Sequence, residues 1–255
     1  MKESIKKLKE TYNTKIVHEW KCPEETGVPL ITMPNIPRPL HGEGLQPRTI
    51  YGNYMWTKLR KITYHKANFK CEICGCDPDK GKLHAHELFS YDYDEAEGTF
   101  ERTVALCKTC HDFIHSGRLI TMHKRGNCMY QKSYVLKVVE HGFKLIKDYN
   151  DTHRNKAPLR AFGTFLDYLE EDDLRSEMMN LIDKYEIMFY DEPKKKTDWG
   201  KWHVVVNRKK YYTPYKNQDD WAKAMEERSK NDVIINVEDP FSGGIFDVIK
   251  ENLKN

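Results

Sequence analysis

Residues 71–115 are CEICGCDPDKGKLHAHELFSYDYDEAEGTFERTVALCKTCHDFIH. This stretch contains two Cys-x-x-Cys pairs, Cys71 with Cys74 and Cys107 with Cys110. Two such pairs, a few tens of residues apart, are typical of a structural zinc site in which four thiolates surround one ion tetrahedrally. The sequence therefore predicts a structural Zn²⁺ that is held by all four of these cysteines.

Histidines are concentrated in the same stretch. His84 and His86 lie between the two cysteine pairs, and His111 and His115 follow the second pair. Four sulfurs already saturate a tetrahedral zinc ion, so the histidines are available for another task. His111 and His115 are one helical turn apart and would share one face of a helix. A metal that holds a histidine pocket together is typical of a small metal-dependent nuclease.

The composition limits the class of protein. The chain has 255 residues, of which 39% are hydrophobic and 32% charged, enough for one large domain or two small ones. It has no run of about eighteen apolar residues, so no membrane span is predicted. Its first residues lack the apolar core of a secretory signal. Cysteine pairs in such a chain favour metal over disulfides, so we expect a cytoplasmic protein with Cys22, Cys76 and Cys128 as free thiols.

Charge is distributed unevenly along the chain, although the net charge is only +3. Residues 57–70 and 194–216 are strongly basic, whereas residues 167–177 are acidic. Either basic run alone is more typical of a solvated surface. Beside a candidate nuclease site, however, such runs would attract a phosphate backbone, with DNA favoured over RNA as the partner. The predicted DNA contacts are Lys58, Arg60, Lys61, Arg208, Lys209 and Lys210.

The predicted fold is α+β and has four segments. Residues 1–68 form an extended, proline-rich N-terminal arm and a basic helix, and residues 69–120 form the zinc module. Residues 121–192 form a helical segment, and residues 193–255 form a basic β-hairpin followed by a helix.

Hydrophobic periodicity predicts the individual elements. The predicted helices cover residues 1–12, 54–67, 130–149, 158–171, 173–187 and 217–229. In the helix at 54–67, Met55, Trp56, Leu59 and Ile62 are expected to face inward. The predicted hairpin has its turn at Asn207, and Asn217 is expected to cap the last helix.

The cysteine and histidine stretch resembles the HNH endonucleases, ββα-metal nucleases that carry a four-cysteine zinc staple. The resemblance rests on Cys71-x-x-Cys74, on Leu83-His-Ala-His86-Glu and on Cys107-x-x-Cys110-His111-x-x-x-His115. It covers the module at 69–120 and no other part of the chain. It implies a hairpin that supplies His86 as the general base, followed by a helix that supplies His111 and His115 as ligands of one catalytic divalent ion, Mg²⁺ or another.

Two positions depart from the family pattern. Ala85 stands where many members have a further metal ligand, and His84 or Glu87 would have to take over that role. The family pattern has an asparagine, the N of the name HNH, in the stretch that is Glu101-Arg102-Thr103 here.

The resemblance implies a metal-dependent endonuclease that hydrolyses phosphodiester bonds in DNA. An imidazole with a pKa of about 6.5 is a suitable base at cellular pH. The alternative is a non-catalytic, zinc-stabilised module that binds nucleic acid or a protein partner.

Overall fold

The structure, a computed structural model, describes residues 15–16, 19–21, 29–33, 36–41, 44–78, 82–154, 156–157, 159–160, 168, 171–191 and 199–232. Within these residues the protein is α+β with six α-helices, which confirms the predicted class. None of the described helices is long and apolar enough to cross a membrane. The predicted helix at 1–12 and the lysines at 194–196 lie outside the described residues.

The elements are numbered in chain order. The strands are β1 (Lys15–Ile16), β2 (Glu19–Trp20), β3 (His84–Asp92), β4 (Glu97–Leu106), β5 (Leu159–Arg160), β6 (Phe189–Asp191), β7 (His203–Val206) and β8 (Lys209–Tyr212). The helices are α1 (Pro47–Lys66), α2 (Lys108–Ile114), α3 (Ser116–Lys124), α4 (Lys132–Thr152), α5 (Asp172–Lys184) and α6 (Gln218–Asp232).

A five-stranded sheet of order β2-β3-β4-β7-β8 forms the centre of the protein. Its longest pair is the antiparallel hairpin of β3 and β4, in which His86 lies opposite Val104. The turn of this hairpin is closed by Asp92, whose Oδ1 accepts hydrogen bonds from the backbone N–H groups of Asp94 and Glu95, both at 2.9 Å. The side chain of Asp92 therefore shapes the turn. The C-terminal hairpin joins the same sheet, because β7 pairs in parallel with β4.

Helices cover both faces of the long hairpin. On one face, Leu88, Val104 and Leu106 pack into the largest core together with α2, α4 and α5. On the other face, Tyr64 of α1 packs with Leu83 and Ala105. This arrangement follows from the alternation of side chains along a strand, which sends neighbouring residues to opposite faces.

Helix α1 confirms the predicted helix, but the predicted inward face is wrong at two of its four positions. Trp56 and Leu59 are half-buried, whereas Met55 and Ile62 are each 50% exposed. The buried residues of the helix are Pro47, Thr63 and Tyr64. The helix rests on a strand surface that contains Thr103, and the hydroxyls of Thr63 and Thr103 form a hydrogen bond. A polar residue therefore occupies the inward side. The helix begins earlier than predicted and is kinked at Gly52, whose φ of 71° favours glycine.

Of the three helices predicted between residues 130 and 187, two are confirmed and one is wrong in part, and α3 was not predicted. Helices α4 and α5 confirm the predictions at 130–149 and 173–187. The helix predicted at 158–171 is wrong at Leu159–Arg160, which pair in parallel with β6 as strand β5. Residues 161–167 lie outside the described set.

The acidic segment lies against basic side chains of α3 and α4. Lys124 pairs with Glu171 at 2.9 Å, and Lys132 pairs with Glu177 at 2.6 Å. His123 lies 3.3 Å from Asp173. These contacts place negative charge beside cations of the same chain.

The C-terminal hairpin and its helix also agree with the prediction. Asn207 and Arg208 have φ values of 50° and 63°, as a two-residue hairpin turn requires. Asn217 accepts hydrogen bonds at 2.9 Å from the N–H groups of Asp219 and Asp220, and so caps α6.

Candidate metal centre

Four cysteines converge at the base of the long hairpin. The Sγ atoms of Cys71, Cys74, Cys107 and Cys110 all lie within 4.8 Å of one another. Those of Cys74 and Cys107 are 3.8 Å apart. A tetrahedral site with Zn–S bonds of about 2.3 Å requires sulfurs about 3.8 Å apart, so the cluster fits a metal such as zinc. All four are free thiols, which excludes disulfides between them.

The first cysteine pair is shaped by a tight turn. The N–H of Gly75 donates to the carbonyl of Cys71 at 2.9 Å, and Gly75 has a φ of 69° that only glycine adopts easily. Glu72 fixes this turn to β4. Its carboxylate accepts from the N–H of Ala105 at 2.7 Å and from the guanidinium of Arg102 at 2.8 Å. These contacts and the Thr63–Thr103 hydrogen bond hold β4 in place over residues 102–105.

The second pair begins the helix that carries the histidines. Cys107 caps α2, and its sulfur accepts from the N–H of Cys110 at 3.5 Å. Sequence reasoning missed a neighbour here, because Nε2 of His141 on α4 lies 3.3 Å from the Cys110 sulfur. His141 follows buried Val138 by three positions, and this helical spacing is the signal that would have placed it on the inner face of α4.

Three of the predicted histidines form a second ligand group. The ring nitrogens of His86, His111 and His115 lie within 4.8 Å of one another. The ring centroid of His86 is 5.5 Å from that of His111 and 4.9 Å from that of His115. His84 stacks on His111 with centroids 4.6 Å apart. The fold thus brings all four histidines together, although β3 and α2 are separated by β4 in the chain.

Burial keeps these imidazoles neutral. Burial, reinforced by nearby His115, lowers the pKa of His86 well below its usual value. Burial likewise lowers the pKa of His111, with the charge of His115 as the next cause. The pKa of His115 falls to about 4, first through burial and then through the positive charge of Arg118. A neutral imidazole can accept a proton or bind a metal, so the group fits both roles.

A small recess of about 20 Å³, room for about one water molecule, opens beside the histidines. Its lining comprises Met33, Ile36, His86, Glu87, Phe89, Tyr91, Ile114 and His115. Within the described part of the chain, Nδ1 of His86 and Oε1 of Glu87 are buried without a hydrogen-bond partner. Burial also raises the pKa of Glu87. A metal ion and its bound waters, held by the three clustered imidazoles, would supply partners for these two atoms.

A polar contact with α4 holds helix α2 in place. The buried carboxylate of Asp112 accepts hydrogen bonds from Tyr134 at 2.6 Å and from Lys108 at 2.5 Å. Asp112 lies between His111 and His115 in the sequence, and it faces α4. The contact therefore fixes the rotation of the helix that presents both histidines.

The predicted DNA contacts lie on α1 and on the C-terminal hairpin, two elements that meet where the hydroxyl of Tyr51 donates to Oδ1 of Asn207 at 3.1 Å. Lys58 and Lys61 are exposed on α1, whereas Arg60 is half-buried and donates to the hydroxyl of Tyr64 at 3.3 Å. Arg208 and Lys209 are exposed at the tip of the C-terminal hairpin. The third residue of that group, Lys210, lies 3.5 Å from Glu97.

Comparison of the chain with protein-family models, with curated proteins and with solved structures gives no match. The residues of the chain and their geometry therefore carry the functional argument.

Proposed function

We propose that the protein is a metal-dependent endonuclease that hydrolyses phosphodiester bonds in DNA, in the manner of the HNH nucleases. The observation that carries this proposal is the group formed by His86, His111 and His115, whose ring nitrogens lie within 4.8 Å of one another. The group lies on β3 and α2, and α2 with its N-cap also carries Cys107 and Cys110 of the four-cysteine cluster. This is the arrangement that the resemblance of the sequence implies.

Each histidine has a distinct role in the proposed reaction. His111 and His115 would hold one divalent ion, which supplies charge stabilisation at the phosphate and leaving oxygen when it is bound. His86, neutral because it is buried, would accept the proton of the attacking water. His84 stacks on His111 and would orient it, and Glu87 lines the recess in which the attacking water would bind.

The donor set favours particular ions. Imidazole nitrogens suit Zn²⁺ and Ni²⁺, whereas Mg²⁺ prefers oxygen ligands. We therefore expect transition-metal ions to support cleavage better than Mg²⁺. The structural Zn²⁺ at the cysteines requires reduced thiols, which suits the expected cytoplasmic location.

Positive charge surrounds the histidines and supports a polyanionic substrate. Arg118 and Arg48 are exposed, and both act electrostatically on His115. Arg118 lies on α3 and Arg48 on α1, so the two cations come from different elements. Exposed arginines near a buried metal site are suited to binding phosphate.

A supercoiled plasmid assay tests the proposal. Protein that contains one zinc per chain is incubated with plasmid and Ni²⁺, Zn²⁺, Mn²⁺ or Mg²⁺, and nicked and linear products are quantified. His111→Ala should lower cleavage, and excess metal should restore part of it. His153→Ala, which removes an exposed histidine at the end of α4, is the matched control and should cleave normally. Cleavage that survives in a His86→Ala, His111→Ala double variant would contradict the proposal.

The second candidate function is a non-catalytic zinc module that binds nucleic acid or a protein. Ala85 favours it, because a methyl group stands where a further metal ligand would be. Protein that retains its zinc and binds DNA, but cleaves with none of the four ions, would support this function over the first.

A further inference from the structure

Helix α1 presents an exposed apolar stripe to solvent. Tyr54 is 70% exposed, Met55 and Ile62 are each 50% exposed, and Phe69, just after the helix, is 44% exposed. Exposed apolar residues are ordinary when scattered singly, but four along one helix and its C-terminal turn form a contiguous surface. We call these four residues the α1 stripe.

Helical geometry places the stripe on the side away from the sheet. Met55 and Ile62 are seven residues apart and share a face, while buried Thr63 and Tyr64 define the opposite side. The ring of His65 contacts that of Phe69 with centroids 4.9 Å apart, which extends the surface past the last turn. The stripe is therefore a continuous outer face with aromatic groups at both ends.

Positive charge borders the α1 stripe without local neutralisation. From residue 47 to residue 70 the chain has no aspartate or glutamate. The exposed lysines of this region are Lys58, Lys61, Lys66 and Lys70. Among the described residues none of these lysines pairs with a carboxylate, and Nζ of Lys58 lies 4.3 Å from the ring centroid of Tyr54. The surface thus combines apolar and aromatic groups with unneutralised positive charge.

This combination of groups favours some ligands of the surface over others. A second copy of the helix would bring lysines against lysines, which is unfavourable. Duplex DNA would satisfy the lysines, but its bases are stacked inside and offer no partner to the apolar groups. A single strand exposes both phosphates and the faces of unstacked bases, which stack on aromatic side chains. We propose that the α1 stripe and its lysines bind single-stranded nucleic acid.

The surface is separate from the histidine recess. Helix α1 packs on the face of the hairpin that carries Ala105, whereas Val104, the partner of His86, belongs to the core on the opposite face. The proposal extends the proposed function, with which it shares nucleic acid as the partner. It does not depend on cleavage, because a strand can bind here whether or not the histidines cut.

Fluorescence anisotropy with labelled 20-mers tests the proposal. The His111→Ala variant is used throughout, without added divalent ion, so that binding is measured without cleavage. The probes are single-stranded DNA, single-stranded RNA of the same sequence and the DNA duplex. We expect the single strands to bind more tightly than the duplex, and the DNA and RNA arms to show which strand is preferred.

Substitutions on the stripe provide the residue-level test. Tyr54→Ala should weaken single-strand binding about 5- to 100-fold, because one base loses its stacking partner. Tyr54→Phe should retain binding. Lys61→Gln should reduce the slope of log affinity against log salt by about 0.7. Met55→Ala should weaken binding, whereas Met129→Ala, which removes another exposed methionine elsewhere, should not.

Three results would overturn the proposal. The first is duplex binding as tight as single-strand binding, and the second is unchanged affinity in Tyr54→Ala. The third is binding to phosphatidylserine vesicles without binding to oligonucleotides, which would make the stripe a membrane-contacting surface. Plasmid cleavage is measured in parallel with protein that keeps His111. If the protein cleaves plasmid but binds no single-stranded probe, the result would count against this surface alone, and not against the proposed nuclease function.

Discussion

Replacement of His86 by alanine separates two roles that the geometry of the histidine group permits. As the general base, His86 accelerates proton transfer from water, and its removal should lower the cleavage rate about 10²- to 10⁴-fold. At 1.36 kcal/mol for each factor of ten, this corresponds to about 3–5 kcal/mol of activation free energy. The divalent ion at the histidines should then remain bound, because His111 and His115 are unchanged.

As a third metal ligand, His86 would behave differently. Its ring nitrogen is within 4.8 Å of those of His111 and His115, and one ion with metal–nitrogen distances of about 2.1 Å would draw three such nitrogens together. His86→Ala would then release the second ion at ordinary concentration, and added metal would restore part of the rate.

The assay measures metal content and cleavage on the same preparation. Metal per chain is determined by elemental analysis after equilibration with Ni²⁺, and cleavage by plasmid nicking over a range of Ni²⁺ concentrations. His86→Asn controls for the loss of volume at this buried position. A slow His86→Ala variant that keeps its second ion and is not rescued by metal is the expected result. Rescue by excess metal would refute the assignment of His86 as the base.

Three further predictions concern the framework. Cys71→Ser should abolish zinc binding and unfold the module, because a metal site of this kind contributes folding free energy directly. Zinc analysis will measure the bound metal, and circular dichroism will measure the loss of folded structure. His141→Ala should lower zinc affinity about 10- to 100-fold in chelator competition, because His141 lies 3.3 Å from a ligand sulfur; unchanged affinity would mean that the contact is incidental. Gly142→Ala should lower the free energy of unfolding by about 1–3 kcal/mol in a denaturant titration, because the new Cβ would lie 2.2 Å from the ring of Phe113. Greater stability in Gly142→Ala, which helix propensity alone would give, would contradict this packing argument.

The sequence predicts those parts of the site that depend on short segments. The two cysteines within each pair are close in the chain, and His111 and His115 directly follow the second pair, so local geometry fixes the positions within each of these short segments. The hairpin turn at Asn207 and the cap at Asn217 are equally local. Each of these features follows from backbone conformations that neighbouring residues determine among themselves.

Contacts between distant segments could not be predicted in this way. His141 reaches Cys110 from another helix, and Thr63 meets Thr103 across the sheet. The α1 stripe illustrates the same limit. Periodicity correctly grouped Met55 with Ile62, but it cannot tell which face of a helix meets the protein. That choice depends on the surface of β4, where Thr103 accepts a polar partner.

The cysteine cluster and the histidine group are coupled, because one short helix, α2, carries residues of both. Cys107 and Cys110 form the start of α2, and His111 and His115 occupy its remaining turn and its C-terminal cap. A helix of this length is not stable by itself, so its position depends on the groups that hold it. The metal at the cysteines would hold its first turn, and Asp112 binds Tyr134 of α4 beneath the histidines. Zinc removal should therefore disorder the histidine group without altering any histidine, and any activity of the histidines should be lost with the zinc.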